Sequence, residues 1–224
     1  MKNKQILPVL NIKNPNEIEA ESFRLIEEEV PEEIRAKFTR DEWIIARRII
    51  HTTGDISIVN SVIYSDNAIP TGINALKNGC NLFSDSNMIK NGVSVAKLQS
   101  MNNSYSRESI RCFIADESVA KYAKKHGITR AIASVEKASN YLNDSIIMIG
   151  NAPSALIKVI EKCYNEEIKP KLIIGMPVGF VNVVESKKLL MQTNIPFISI
   201  EGRRGGSPLA VATLHALIEI YNLK

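Results

Sequence analysis

The second half of the chain alternates three times between a short apolar run, a turn that contains Gly or Pro, and a helical pattern. The apolar runs span residues 146–149, 171–175 and 196–200, and the helical patterns that follow them span 155–164, 183–192 and 208–222. Short apolar strands without polar alternation are typical of a sheet covered by helices on both faces. The pattern therefore predicts an α/β fold of three layers, a doubly wound and mainly parallel sheet with helices on both faces.

The first half contains more helix than strand. Residues 15–29 and 41–51 have helical patterns, the second with Asp41 as its cap, and we expect this helical segment at about 15–51 to pack on the α/β core. Further predicted elements are strands at 59–64 and 81–84 and helices at 70–77, 118–125 and 130–142. Because no repeat or Gly/Ser-rich linker divides the chain, we expect residues 1–224 to form a single domain.

Composition excludes several classes of function. The 224 residues are 45% hydrophobic and 23% charged, with a net charge of +4, as in ordinary soluble domains. The basic residues are scattered, and the pairs at 124–125 and 187–188 are assigned to solvated helix faces, so no nucleic-acid partner is expected. Three distant cysteines without a C-x-x-C motif exclude a disulfide framework and a cysteine-based zinc site. The N-terminus resembles neither a signal peptide nor a membrane span, which predicts a cytoplasmic protein without a membrane partner.

The turn after the third apolar run has the composition of an anion site. Residues 201–207 read EGRRGGS, and Pro208 follows. Ser207 is predicted as the N-cap of the last helix, whose N-terminus favours negative charge. Arg203 and Arg204 can each bind a carboxylate or phosphate through two N–H groups, and Gly205 permits close approach of the backbone. The alternative is a flexible turn with solvated arginines.

The usual signatures of cofactor and nucleophile chemistry are absent. The chain has no G-x-G-x-x-G, no P-loop lysine, no G-x-S-x-G and no histidine pair at metal-ligand spacing. We therefore expect neither a cofactor nor a metal site. Without a cofactor, metal or nucleophile, the chemistry still open to the chain is proton transfer in a pocket that fits its ligand, which indicates an isomerase or a binding module.

Three histidines could transfer a proton. His126 precedes Gly127 at a predicted helix end, where it is a cation near the negative end of the helix dipole, and His215 lies in the middle of a helix as a structural residue. His51 ends an apolar helix and precedes a polar turn, so it could reach a cleft and act as an acid or base. The alternative for His51 is a helix C-terminal cap.

Five segments occur in the order found in one enzyme family. They are IEAESF at 18–23, RIIHTTGD at 48–55, GNAP at 150–153, GMPVGFV at 175–181 and EGRRGGS at 201–207. From about residue 12 to its end, the chain resembles the precorrin-8X methylmutases, including the cobalt-precorrin-8 methylmutases of anaerobic cobalamin synthesis. The resemblance implies an isomerase that moves a methyl group from C-11 to C-12 of the macrocycle, giving hydrogenobyrinate or cobyrinate. It also implies a homodimer with substrate near the subunit interface.

The resemblance assigns roles to individual residues. His51 is expected to protonate the ring nitrogen beside the migrating centre. Thr52, Thr53 and Asp55 would orient it or contact the macrocycle, while Ser22 either binds substrate or faces solvent. The remaining expected substrate contacts are apolar walls from Val178 and Phe180, carboxylate clamps from Arg203 and Arg204, one of which could pair with Glu201, and the turn residues Asn151, Gly205 and Ser207. Arg48 could point either way.

A methyl shift within one molecule needs no external donor, so no cofactor is expected, and any cobalt belongs to the substrate. The resemblance implies a substrate that is a corrin-ring polycarboxylate, with or without cobalt. A non-catalytic corrinoid or tetrapyrrole carrier remains the alternative, and a nucleotide-binding α/β enzyme is disfavoured by the missing glycine motif. A carrier would keep the anion turns and apolar walls without depending on His51.

Overall fold

The computed structural model describes residues 14–223, arranged as a mixed sheet with helices on both faces. The strands are β1 (Val62–Tyr64), β2 (Leu82–Ser84), β3 (Ile110–Arg111), β4 (Ile146–Ile149), β5 (Leu172–Gly175) and β6 (Phe197–Ile200). The helices are α1 (Pro15–Glu29), α2 (Glu32–Arg35), α3 (Arg40–Thr53), α4 (Ala68–Lys77), α5 (Asn87–Gly92), α6 (Val95–Gln99), α7 (Glu117–His126), α8 (Arg130–Ala138), α9 (Pro153–Tyr164), α10 (Val183–Met191) and α11 (Ser207–Asn222). Short 3₁₀ helices occur at Ile56–Ser61, Arg107–Ser109 and Ser139–Tyr141.

The sheet confirms the predicted α/β class. Its strand order is β1-β6-β5-β4-β2-β3, and every neighbouring pair is parallel except β1 and β6. The strand predicted at 59–64 is only half right, because residues 56–61 form a 3₁₀ helix. The 3₁₀ helix begins after Asp55, whose side chain accepts the Ser57 N–H and caps the helical turn. A strand was expected over part of this segment.

Alternate residues of the central strand enter different cores. Ile146 and Met148 of β4 pack into the cluster that contains residues of α3, α4 and α11. Ile147 and Ile149 pack into the cluster formed with α8, α9 and α10. Because successive strand side chains point to opposite faces, this division shows a sheet buried between two helical layers.

The helical N-terminal segment packs against the last helix. α1 contacts α3, and α3 in turn packs along α11. Asp41 was predicted to cap α3, but the cap is Thr39, whose hydroxyl accepts the Glu42 N–H while the Glu42 carboxylate accepts the Thr39 N–H. This reciprocal pair satisfies two otherwise unpaired backbone donors, which a cap at Asp41 would leave exposed.

Arg48 is buried where these three helices meet. Its guanidinium donates to Glu219 of α11, with Nε at 2.9 Å, and to Glu19 of α1 at 2.9 Å. The two orientations that the sequence left open for Arg48 are thus decided in favour of an internal ion pair.

Along residues 14–223, no helix combines the length and the apolar character that crossing a membrane requires.

Candidate active site

The turns after β4, β5 and β6 lie against one another. The Gly206 N–H donates to the Met176 carbonyl at 2.8 Å, and the Gly179 N–H donates to the Arg203 carbonyl at 3.3 Å. A side chain on Gly150 would place its Cβ 2.7 Å from the Ser207 Cα. The three turns therefore meet at the carboxyl ends of parallel strands, the edge at which α/β sheets bind ligands.

Two glycines give the third turn its path. Gly206 has φ of +126°, a conformation that side chains disfavour, and it occupies the N-cap position of α11. A Cβ on Gly205 would lie 2.4 Å from the Pro177 carbonyl oxygen, so only glycine fits between the turns. Ser207 was predicted to be the N-cap, and that prediction was wrong. It is the first helical residue, buried, with its hydroxyl 2.8 Å from that of Ser86.

Asp85 supports the first turn, and sequence reasoning missed it. Its buried carboxylate accepts the N–H groups of Gly150 at 3.0 Å, Asn151 at 2.9 Å and Ala152 at 2.7 Å. Burial raises the pKa of Asp85, and the three N–H donors oppose that rise. The Asn151 side chain is consequently held at the exposed surface of the turn. The available signal was an acidic residue directly after a predicted strand.

The two arginines of the third turn differ in their partners. Arg204 forms an ion pair with Asp55, Nη1 to Oδ2 at 2.5 Å, and also donates to the Ser57 hydroxyl at 3.1 Å. Hydrogen bonding to Ser57 and the nearby Arg204 charge hold the pKa of Asp55 below its usual value. Arg203 is exposed and lies over the Phe180 ring, 5.3 Å from the centroid. Within residues 14–223 it has no carboxylate partner, and neither arginine pairs with Glu201.

The apolar residues of the second turn are exposed rather than packed. Phe180 is 84% exposed, Val181 75% and Val178 43%. Exposed apolar groups beside an exposed guanidinium are suited to a ligand that combines an apolar body with anionic groups.

Lys187 of α10 lies beneath the third turn. It was assigned to a solvated helix face, which is wrong, because its side chain is buried and its ammonium donates to the Gly202 and Arg204 carbonyls at 3.0 and 2.6 Å. Its neighbour Lys188 is exposed, as are Lys124 and Lys125, so the interpretation holds for those three. A Lys-Lys pair at a helix surface cannot show which member faces inward.

His51 lies in the last turn of α3, where Ser22 of α1 fixes it. The Ser22 hydroxyl is 2.7 Å from Nδ1, and the Phe23 ring meets the imidazole edge-on at 5.3 Å between centroids. Nε2 has no partner in the part of the chain that the structure describes. The helix continues to Thr53 and ends at Gly54, whose N–H donates to Ile50, so His51 does not cap the helix.

Two cavities adjoin His51. One of about 410 Å³ lies between α1 and α3 and is lined by Ser22, Ile26 and Ile50. The other, of about 450 Å³, extends from His51 and Thr52 past Met88 to Pro208. Because Pro208 follows the third turn directly, the second cavity connects the imidazole to the N-terminus of α11.

The hydroxyls beside His51 bond within their own helix. Thr52 donates to the Arg48 carbonyl at 2.8 Å and Thr53 to the Ile49 carbonyl at 3.0 Å. Thr52 lines the second cavity, whereas Thr53 lies outside both. Asp55 is joined to the third turn through Arg204, so it connects the end of α3 to the anion loop, residues 201–206.

The other two histidines have structural surroundings. His126 is the last residue of α7, with Gly127 as its left-handed cap at φ of +64°, as the sequence predicts. His215 accepts the Ser94 N–H through Nε2 at 3.0 Å. Burial, together with Lys97 and Arg48, lowers its pKa to about 4, so it is neutral near pH 7. Among the described residues, no three His, Cys, Asp or Glu side chains are grouped so as to hold a metal ion.

Known proteins are similar to this chain over nearly its whole length. The precorrin-8X methylmutase family model matches residues 17–220. A cobalt-precorrin-8 methylmutase of Leptospira interrogans is 44% identical over 90% of this chain and 91% of its own. A precorrin-8X methylmutase of Sinorhizobium is 32% identical over 92% and 95% of the two chains.

A solved structure shows the same fold. The precorrin-8X methylmutase of Thermus thermophilus superposes with a TM-score of 0.81 and 37% identity, covering 92% of this chain and 95% of that one. Family, length and fold agree, so the chain belongs to the precorrin-8X methylmutase family and is an isomerase of cobalamin biosynthesis.

Proposed function

We propose that this enzyme moves a methyl group from C-11 to C-12 of precorrin-8 or its cobalt form, with His51 as the general acid. The observation that carries the proposal is the His51 imidazole, held by Ser22, in the wall of a cavity that reaches Pro208 at the N-terminus of α11, two residues beyond the anion loop. The bond from C-11 to the methyl carbon breaks and the bond to C-12 forms, so the composition of the macrocycle does not change. The product is hydrogenobyrinate or cobyrinate.

His51 promotes the shift by protonating a ring nitrogen beside the migrating centre. Protonation withdraws electron density from the ring and lowers the barrier, and the proton returns to the imidazole as the product forms. A well-placed general acid contributes about 10²–10⁴-fold to the rate. Ser22 holds Nδ1, which leaves Nε2 for the transfer.

The anion loop and the apolar turn bind the substrate around this acid. Arg203, the backbone N–H of Gly205 and the exposed Asn151 side chain suit the carboxylates on the macrocycle rim. Phe180 and Val178 suit its apolar face. Arg204 and Asp55 hold the loop against the end of α3, and Thr52 lines the cavity. Ser207 and Thr53 shape the turns rather than contact the ring.

The enzyme acts without a cofactor, any cobalt arriving with the substrate, and works as a cytoplasmic homodimer. Exposed Phe180 and Val181 are compatible with a subunit contact close to the substrate.

Anaerobic turnover with a labelled methyl group tests the function. Precorrin-8 or cobalt-precorrin-8 carrying ¹³C in the C-11 methyl is mixed with the protein, and the product is examined by visible and ¹³C spectra. A corrin spectrum with the label at C-12 is the expected result. Tight binding with the label still at C-11 would contradict the isomerase and favour a tetrapyrrole carrier.

A further inference from the structure

Lys187 is the buried cation closest to the backbone of the anion loop. It is 1% exposed, and its Nζ donates to the carbonyls of Gly202 at 3.0 Å and Arg204 at 2.6 Å. Both acceptors belong to the loop that the proposed function assigns to a rim carboxylate. The ammonium therefore contacts the loop from the side of α10.

No carboxylate of residues 14–223 pairs with this ammonium. Burial lowers the pKa of Lys187 to about 8, and no neighbouring charge offsets the effect. A buried charge without a counter-ion is costly to a fold. The charged side chains on the surrounding elements are Glu201, Arg203 and Arg204 of the loop, Asp55 beyond Arg204, Glu185 and Lys188 of α10, and Lys158, Glu161 and Lys162 of α9.

Because the peptide bond is planar, the contact of Lys187 with the two carbonyls also sets the direction of two backbone N–H groups. In a trans peptide the C=O of one residue and the N–H of the next point in opposite directions. With the Gly202 and Arg204 carbonyls directed at Lys187, the N–H groups of Arg203 and Gly205 point away from it. Over residues 14–223 neither N–H has an acceptor. Unpaired backbone donors next to positive charge are suited to an anion.

We propose that Lys187 is a positioning residue that holds the anion loop so that the N–H groups of Arg203 and Gly205 together bind one carboxylate of the substrate. The inference rests on the proposed function, since it identifies the part of that site which meets the rim of the macrocycle. The bound carboxylate supplies the negative charge that the buried ammonium lacks.

This arrangement couples binding to protonation of one lysine. A carboxylate on the loop stabilises the charged ammonium and raises the pKa of Lys187 above its value of about 8 in the free protein. Binding at pH 8.5 must then take up protons, and affinity must fall as pH rises from 7 to 9.5. Lys188, exposed on the same helix, provides the matched control.

The test compares Lys187→Met with Lys188→Met, using hydrogenobyrinate as the probe. Wild type and Lys188→Met should bind more weakly as pH rises and take up protons at pH 8.5, measured by calorimetry in two buffers of different ionisation enthalpy. Lys187→Met should bind about tenfold more weakly at pH 7, the scale of one charge-assisted contact, with no pH dependence and no proton uptake. Equal affinity and slope in the two variants would overturn the inference.

A second probe separates this inference from the proposed function. Tricarballylate is titrated while the backbone amide resonances of Arg203 and Gly205 are followed by NMR. Shifts in wild type that are lost in Lys187→Met support the inference even if hydrogenobyrinate does not bind, in which case the proposed function fails alone. If neither ligand moves these resonances, the inference fails. If Lys187→Met does not fold, proton uptake by wild type decides, and its absence overturns the inference.

Discussion

Ser22 determines which nitrogen of His51 can exchange a proton. When its hydroxyl donates to Nδ1 at 2.7 Å, the neutral imidazole carries its proton on Nε2, the nitrogen without a partner in the described residues. The Phe23 ring packs against the same imidazole and restricts its rotation. Sequence reasoning left Ser22 open between substrate and solvent, because the contact joins residues on two different helices.

His215 makes folding sensitive to acid. Its pKa is about 4 in the folded protein and ordinarily 6.5, so between these values the unfolded chain binds more protons. The free energy of unfolding should therefore fall as pH drops from 6.5 to 4, by up to about 3 kcal/mol from this residue. His215→Gln, which cannot take up a proton, should flatten this part of the pH profile in urea unfolding.

His126 provides the control for that measurement. It is exposed at the end of α7, so His126→Gln should leave the slope between pH 4 and 6.5 as it is in the wild type. An equal slope in wild type and His215→Gln would show that the buried imidazole does not take part in acid unfolding.

At the scale of elements, the three strand–turn–helix units could be predicted to within two residues. Strand β4 is predicted and found at 146–149, and α10 is predicted at 183–192 and found at Val183–Met191. Apolar runs closed by Gly or Pro fix such elements locally. The two-residue strand β3 and the short helices α5 and α6 were missed, because they are too short to show a period.

Long-range contacts decided what the local pattern could not. The edge strand β1 pairs antiparallel with β6, Val62 opposite Ile200, and this depends on a partner far along the chain. Lys187 and Asp85 are buried for the same reason, since the turns they support meet only in the folded sheet. The candidate site could thus be located from sequence, whereas its supporting side chains could not.

We expect the Asp85 carboxylate to stabilise the whole of the first turn, residues 150–152. Asp85→Asn removes the charge and one of the two acceptor oxygens that three backbone donors share, so at least one N–H loses its partner. We expect a loss of about 2 kcal/mol in the free energy of unfolding and faster amide exchange at residues 150–152. The exposed Asp66→Asn serves as the control. Unchanged exchange in Asp85→Asn would mean that the carboxylate does not hold the turn.

At the scale of the molecule, the Glu219 side chain links the N-terminal helices to the last helix, α11. Glu219 of α11 accepts from Arg47 at 3.0 Å and from Arg48 at 2.5 Å, and Arg48 also reaches Glu19 of α1. These contacts fasten α1 and α3, which carry Ser22 and His51, to the helix that begins at the anion loop. The relative position of acid and loop therefore depends on this cluster.

Glu219→Gln should weaken the contact of α3 with α11. It leaves two guanidiniums, one of them buried, without their shared carboxylate, and we expect a loss of about 2–4 kcal/mol in guanidinium chloride unfolding. Glu185→Gln, at an exposed position of α10, should change stability by less than about 0.5 kcal/mol. Equal midpoints for the two variants would show that the cluster does not stabilise the fold.

The central claim is that His51 supplies the proton for a methyl shift on a macrocycle bound by the anion loop. The most direct measurement is the anaerobic single-turnover rate of His51→Ala, beside His126→Ala as control, with binding of hydrogenobyrinate measured on the same samples. We predict that His51→Ala binds like the wild type and converts substrate about 10²–10⁴-fold more slowly, while His126→Ala keeps the full rate. A His51→Ala protein that converts bound substrate at the wild-type rate would contradict the account.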